Sequence, residues 1–198
     1  MVLLPGFIYQ INRMEGPYLT RNDSLLILAS SGFLAAHFGS WVWSLDHTSL
    51  VHSLLFVNTH PLIVVALMPM MGEAVRRGHL EGVVLGFVGA LVALMDIGDG
   101  GQVTLVGDFA AFIGAVTVVG YILVGRELRS NRSMPIFVYA FPVTLGAGLW
   151  LSAGTVLIEG TSLASLNPEG SLLGWTDPYW IAWVAYLSLG PGLCGHTG

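Results

Sequence analysis

Hydrophobic positions in this chain come in long unbroken runs rather than in stripes. Leu25–Trp43 is nineteen residues without a charge. At ~1.5 Å rise per residue, a helix of that length covers the ~30 Å hydrocarbon core of a bilayer. Leu50–Met71 follows, then Val83–Met95, which borrows Leu80–Gly82 at its near end. Val103–Gly125 contains one acid, Asp108, while Pro135–Ile158 and Tyr179–Cys194 contain no charge. No run keeps a period of two, and open strands cannot cross lipid because their edges stay unpaired. The pattern predicts six membrane helices.

Composition agrees. Of 198 residues 54 % are hydrophobic and 10 % charged, whereas a soluble surface needs about a quarter of its residues charged. The fold class is therefore an all-α polytopic membrane protein. Its basic residues are seven Arg and no Lys, and the formal net charge is -5. That excludes the basic stripe of a nucleic-acid binder. Cys194, the one cysteine, cannot form an internal disulfide or a metal cluster. Signatures of soluble enzymes (GxSxG, HExxH, CxxC, a phosphate loop ending in Lys) are absent, and the six His lack metal-ligand spacing. No enzyme activity, cofactor or metal is expected.

The polar segments sort by side. Ile11–Ser24, Gly72–Gly82 and Arg126–Met134 hold every Arg; Ser44–Ser49, Asp96–Gln102 and Glu159–Pro178 hold none. Basic residues stay on the cytoplasmic side of short loops, so the alternation implies six crossings, with Leu25–Trp43 running outward. Plasma and organelle membranes fit equally. Met1–Gln10 reads as the last turns of an earlier helix, and the GPGLCGHTG end carries no charged anchor, so the chain reads as a fragment.

Small residues fall at helix-contact spacing on three runs: Gly32/Ala36/Ser40, Gly82/Gly86/Ala90 and Gly107/Ala111/Ala115. Close backbone approach at such positions packs helices in lipid, so a compact bundle is expected. Pro61, Pro69, Pro142 and Pro191 each remove a backbone donor within or near a run, and Gly190-Pro191-Gly192 is the sharpest candidate for a broken helix.

Polar groups at membrane depth must pair or line a cavity. His37, Asn58 and His60 lie deep in their runs, and His60 precedes Pro61, where a distorted helix could open a pocket. An interhelical hydrogen bond is the alternative for each. Asp108 reads either as a proton or substrate handle or as the anchor of an outer helix end. Glu73 and Glu81 read as ion partners of Arg76-Arg77. Trp41, Trp43, Trp175, Tyr179, Trp180 and Trp183 suit an interfacial aromatic belt, as do Tyr121 and Tyr139, with the deeper Tyr186 a candidate cavity wall.

The order of these features resembles the EamA family of the drug/metabolite transporter superfamily. In GSWVWSLDHTSLVHSLLFVNTHPLIVVALMPMMGE, His47-Thr48-Ser49, Pro61 and Gly72-Glu73 are similar to the turn, central Pro and Gly-Glu exit of the family's second and third helices. GVVLGFVGALVAL is similar to the Gly-rich fourth helix. GDFAAFIGAVTVVGYILVGRELR resembles the fifth, and YLSLGPGLCGHTG the opening of the seventh. His47 departs from the usual Tyr. The resemblance implies part of a ten-helix carrier built from two inverted five-helix repeats. Residues 1–125 would be a first repeat lacking most of its first helix, 126–134 a cytoplasmic loop, and 135–198 a truncated second repeat. It implies transport of a small-molecule solute by alternating access, with His37, Asn58, His60, Pro61, Asp108 and Tyr186 as cavity candidates. The other partner is the lipid bilayer, and a homodimer is left open. A non-transporting membrane scaffold, or an inactive truncated product, is the competing reading.

Overall fold

The computed structural model describes residues 3–14, 19–95, 103–160 and 178–189. Every regular element in them is helical: α1 (Leu4–Ile11), α2 (Arg21–Leu45), α3 (Leu50–Val57), α4 (His60–Leu67), α5 (Arg77–Met95), α6 (Leu105–Arg126), α7 (Ile136–Ile158) and α8 (Pro178–Leu187). Four stretches are long and apolar enough to cross a membrane: Arg21–Leu45, Leu50–Met71, Leu105–Asn131 and Ile136–Ile158. The other two expected spans are not among these four. α5 opens on charged Arg77 and Glu81, and the apolar part of the last helix covers Trp180–Leu189. Large side chains stand uncovered along these helices, including Leu85 at 72 %, Leu105 at 87 % and Ile158 at 87 % exposure. Apolar surface on this scale needs a non-aqueous neighbour, and lipid supplies one. The Asp96–Gln102 loop, most of Glu159–Pro178 and the Gly190-Pro191-Gly192 break lie outside the described residues.

The chain divides into two compact units, Phe33–Leu123 and the residues on either side of it. In the first, α6 buries Gly107, Asp108, Ala111, Gly114, Ala115 and Val119, the three-and-four spacing of one helix face. An added Cβ at Gly114 would meet Ser40 Oγ at 3.3 Å and His37 O at 3.4 Å, and one at Gly120 would meet Phe33 at 2.9 Å. Small residues on α6 thus let α2 approach. Of the other two small-residue faces, only Ser40 makes such a contact. Gly32, Gly82 and Gly86 have open space around them, Ala36 is exposed, and α2 instead buries Leu34 and Ala35. Periodicity marks which residues share a face but not what occupies the space opposite. The Ala90 side chain lies outside the described residues.

In the second unit, α1 packs on the start of α7. Phe7 and Phe141 rings lie 4.9 Å apart, and Gln10 Oε1 accepts a hydrogen bond from Phe137 N (2.8 Å), covering an N–H that the first helical turn leaves free. Tyr139, expected in an aromatic belt, is buried, with its hydroxyl 2.7 Å from Ser30 Oγ. Its ring lies against Gly125, where nothing larger fits beside the phenol oxygen.

Thr20 and Asp23 form a reciprocal cap at the start of α2: Thr20 Oγ1 accepts from Asp23 N, and Asp23 Oδ2 accepts from Thr20 N. Arg132 reaches the same corner, 2.9 Å from Asp23 Oδ1 and 3.0 Å from Glu127 Oε1. Glu127 first, then Asp23, hold its guanidinium above the ordinary arginine range. Two Arg-bearing segments, Ile11–Ser24 and Arg126–Met134, therefore meet at one corner. Arg132 and Glu127 are open to solvent, at 38 % and 39 % side-chain exposure, so Arg132→Gln should leave the melting temperature nearly unchanged at low salt and unchanged at high salt. Thermal unfolding at both salt concentrations checks this; an equally large loss at both would show the cluster to be a structural lock.

Candidate functional site

Leu50–Met71 is one apolar stretch in sequence and three pieces in structure: α3, α4 and a 3₁₀ turn at Met68–Met71. The break at Asn58–Thr59 follows from Pro61 in the first turn of α4. Proline has no N–H to give the carbonyl of Val57, and its ring crowds that carbonyl. Proline also disfavours helical geometry at the preceding residue, His60. The freed Val57 O accepts instead from His60 Nδ1 at 3.1 Å, while Asn58 Nδ2 donates to Leu54 O at 2.7 Å and Thr59 Oγ1 to Phe56 O at 2.6 Å. Gly72, in the left-handed region at φ 75°, ends the 3₁₀ turn, where a side chain would be strained.

Two cavities border the break. A smaller one of about 240 Å³ is lined by His37, Trp41, Leu54, Val57, Asn58, His60 and Val118. A larger one of about 680 Å³ lies between the broken stretch and α5, with Asn58, Thr59, Pro61 and His79 among mostly apolar walls. Gly82 and Gly86 border it, which is why nothing stands opposite their face.

The two options for the deep polar residues now separate. His37 makes the interhelical bond, its Nδ1 lying 2.8 Å from Gly114 O on α6. Asn58 and His60 bond only to carbonyls of their own stretch. All three line the smaller cavity. Two residues apart on a regular helix, Asn58 and His60 would face different ways; the break turns both to one space.

Asp108 sits elsewhere, at the turn between α2 and α3. Its Oδ1 accepts from Thr48 Oγ1 (2.7 Å) and its Oδ2 from His52 Nδ1 (3.0 Å). That corner is closely built: Ser49 caps α3, Ser44 and Ser53 hydroxyls meet at 2.6 Å, and Thr104 Oγ1 donates to His47 O. These bonds tie Asp108, in the first turn of α6, to the turn and to the start of α3. Tyr186 is 64 % exposed and lies edge-on to Trp183. Of the expected ion partners, Glu81 pairs with Arg77 at 3.2 Å, one helical turn apart.

Trp41, expected in the interfacial aromatic belt, lines the smaller cavity instead. Its ring stacks on His37 (6.1 Å, 20°), and its buried indole Nε1 has no hydrogen-bond partner among the described residues. An orphaned donor of this kind costs about 1–3 kcal/mol. The signal in sequence was its position four residues after His37, which puts both on one helix face. Trp43, by contrast, stacks on His47 at 3.5 Å.

The chain matches no family model, no curated protein and no solved structure.

Proposed function

We propose that this protein carries a small solute across a membrane by alternating access, as a member of the EamA type. One observation carries the reading: an apolar stretch long enough to span the bilayer is broken midway by His60-Pro61, and polar side chains line cavities at the break. Irregular backbone at membrane depth is tolerated only where protein or a water-filled cavity satisfies it, and discontinuous helices form substrate sites in many carriers. The Arg segments are placed on the cytoplasmic side, in line with the meeting of two of them at Arg132.

His60→Ala tests the reading. The histidine bonds a carbonyl three residues back in its own stretch, so its loss should leave insertion and thermal stability near wild type. Uptake per folded molecule should fall severely. The measurement uses proteoliposomes of the protein expressed from its complete gene, with a panel of radiolabelled small solutes. Unchanged specific uptake would take His60 off the path, and no uptake of any solute by the unmutated protein would favour a membrane scaffold.

A further inference from the structure

The smaller cavity has a chemical polarity of its own. A backbone carbonyl can only accept, so His37 donates its Nδ1–H to Gly114 O and His60 its Nδ1–H to Val57 O. In each neutral ring the proton is thereby fixed on Nδ1, which leaves Nε2 as a bare acceptor. Neither Nε2 has a protein partner among the described residues, and neither is fully buried as the Trp41 indole nitrogen is. Asn58 repeats the logic. Its Nδ2 gives one N–H to Leu54 O and keeps a second, while Oδ1 is left to accept. The space thus offers three acceptors and an aromatic wall, with no cationic side chain among its lining residues.

We infer that this cavity binds a small protonated amine, its N–H groups donating to His37 Nε2, His60 Nε2 and Asn58 Oδ1 while its charge lies against the Trp41 ring. An ammonium group carries three donors and no acceptor, the complement of this lining. A cation over an indole face gains further attraction once desolvated. A carboxylate or phosphate would face the two imidazole acceptors with only the remaining Asn58 N–H as a donor. The volume of about 240 Å³ suits an amine on a short alkyl chain. This substrate class rests on the transport reading for its purpose, but binding itself can be measured without flux.

The test uses the full chain in lipid nanodiscs, labelled with ¹⁵N-histidine, at pH 8, where an alkylamine is still protonated. The Nε2 resonances of His37 and His60 are assigned by single His→Gln variants. n-Propylammonium should shift both resonances saturably, in the direction of an accepted hydrogen bond. Tetramethylammonium, which has the charge but no N–H, should bind about tenfold more weakly or worse, and so should propionate. Trp41→Leu should weaken propylammonium binding while both imidazole signals persist, showing the fold intact. Equal binding of tetramethylammonium would overturn the hydrogen-bond assignment. Propionamide binding as tightly as propylammonium would overturn the cation assignment, and no saturable shift with any probe would overturn the site. Saturable shifts without amine uptake in proteoliposomes would keep the site and sink the transport reading; uptake of other solutes without shifts would do the reverse.

Discussion

Gly107→Ala should destabilise the protein by about 1–3 kcal/mol, the usual range for forcing one extra carbon into a packed site. A Cβ at this position would lie 2.5 Å from His47 O, 2.6 Å from His47 C and 2.7 Å from Thr48 Cβ. Two of those three atoms are backbone, which cannot rotate away. The carbonyl is also held from the other side, since it accepts the Thr104 hydroxyl. Relief would require moving the whole Ser44–Ser49 turn away from α6. Gly82→Ala is the matched control: nothing lies within 4 Å of its Cβ site, and helix propensity alone would favour Ala by up to ~1 kcal/mol. Thermal unfolding followed by helicity should rank Gly82→Ala at or above wild type and Gly107→Ala clearly below. A Gly107→Ala variant as stable as wild type would mean that the turn does not sit against α6.

Asp108→Ala should cost roughly 2–3 kcal/mol, toward the upper end of the loss seen when a buried hydrogen-bond donor is left without its acceptor. The carboxylate is the shared acceptor for Thr48 and His52, and both side chains of the Asp108–His52 pair are largely buried, at 10 % and 15 % exposure. Removing it leaves a hydroxyl and an imidazole without their acceptor at the end of two helices. Asp108→Asn keeps an acceptor oxygen for one of them and should lose about half as much. Stability is the decisive readout, because the anchor role predicts that uptake per folded molecule survives in Asp108→Asn. Near-wild-type stability in Asp108→Ala, with transport abolished, would instead make the residue a substrate or proton handle.

Much of the fold was legible because membrane helices need an unbroken apolar length, and length survives in sequence without knowledge of neighbours. α2, α6 and α7 fall within a few residues of the runs Leu25–Trp43, Val103–Gly125 and Pro135–Ile158. The break at Asn58–Thr59 was half legible. Pro61 marks a distortion, but which carbonyl is freed and which side chain takes it depends on how the chain folds back at that point. Packing faces were the least legible. Gly107 and Gly82 have the same spacing in sequence, yet one presses on a carbonyl and the other borders empty volume. The same limit hid Tyr139: an aromatic beside a polar loop suits a headgroup belt, and only a facing Ser30 makes it interior. Trp41 was hidden similarly, since an indole near a helix end reads as an interfacial ring until His37 is seen stacked upon it.

If the break in the Leu50–Met71 stretch forms a transport site, it opens the cavities beside Asn58 to water at membrane depth. Cysteine placed at the break measures this most directly, in a Cys194→Ser background with the protein in sealed vesicles of known orientation. Ser130→Cys should react with a small membrane-impermeant thiol reagent only from the cytoplasmic side, and Asp46→Cys only from the opposite side. Asn58→Cys should react as well, although it stands midway along an apolar span, because it lines both cavities. Labelling at 58 at a rate within about a hundredfold of the surface sites is the predicted result, since a site in hydrocarbon would be closed to a charged reagent altogether. A cysteine at 58 that stays inert from both sides, while 130 and 46 label as expected, would contradict the account.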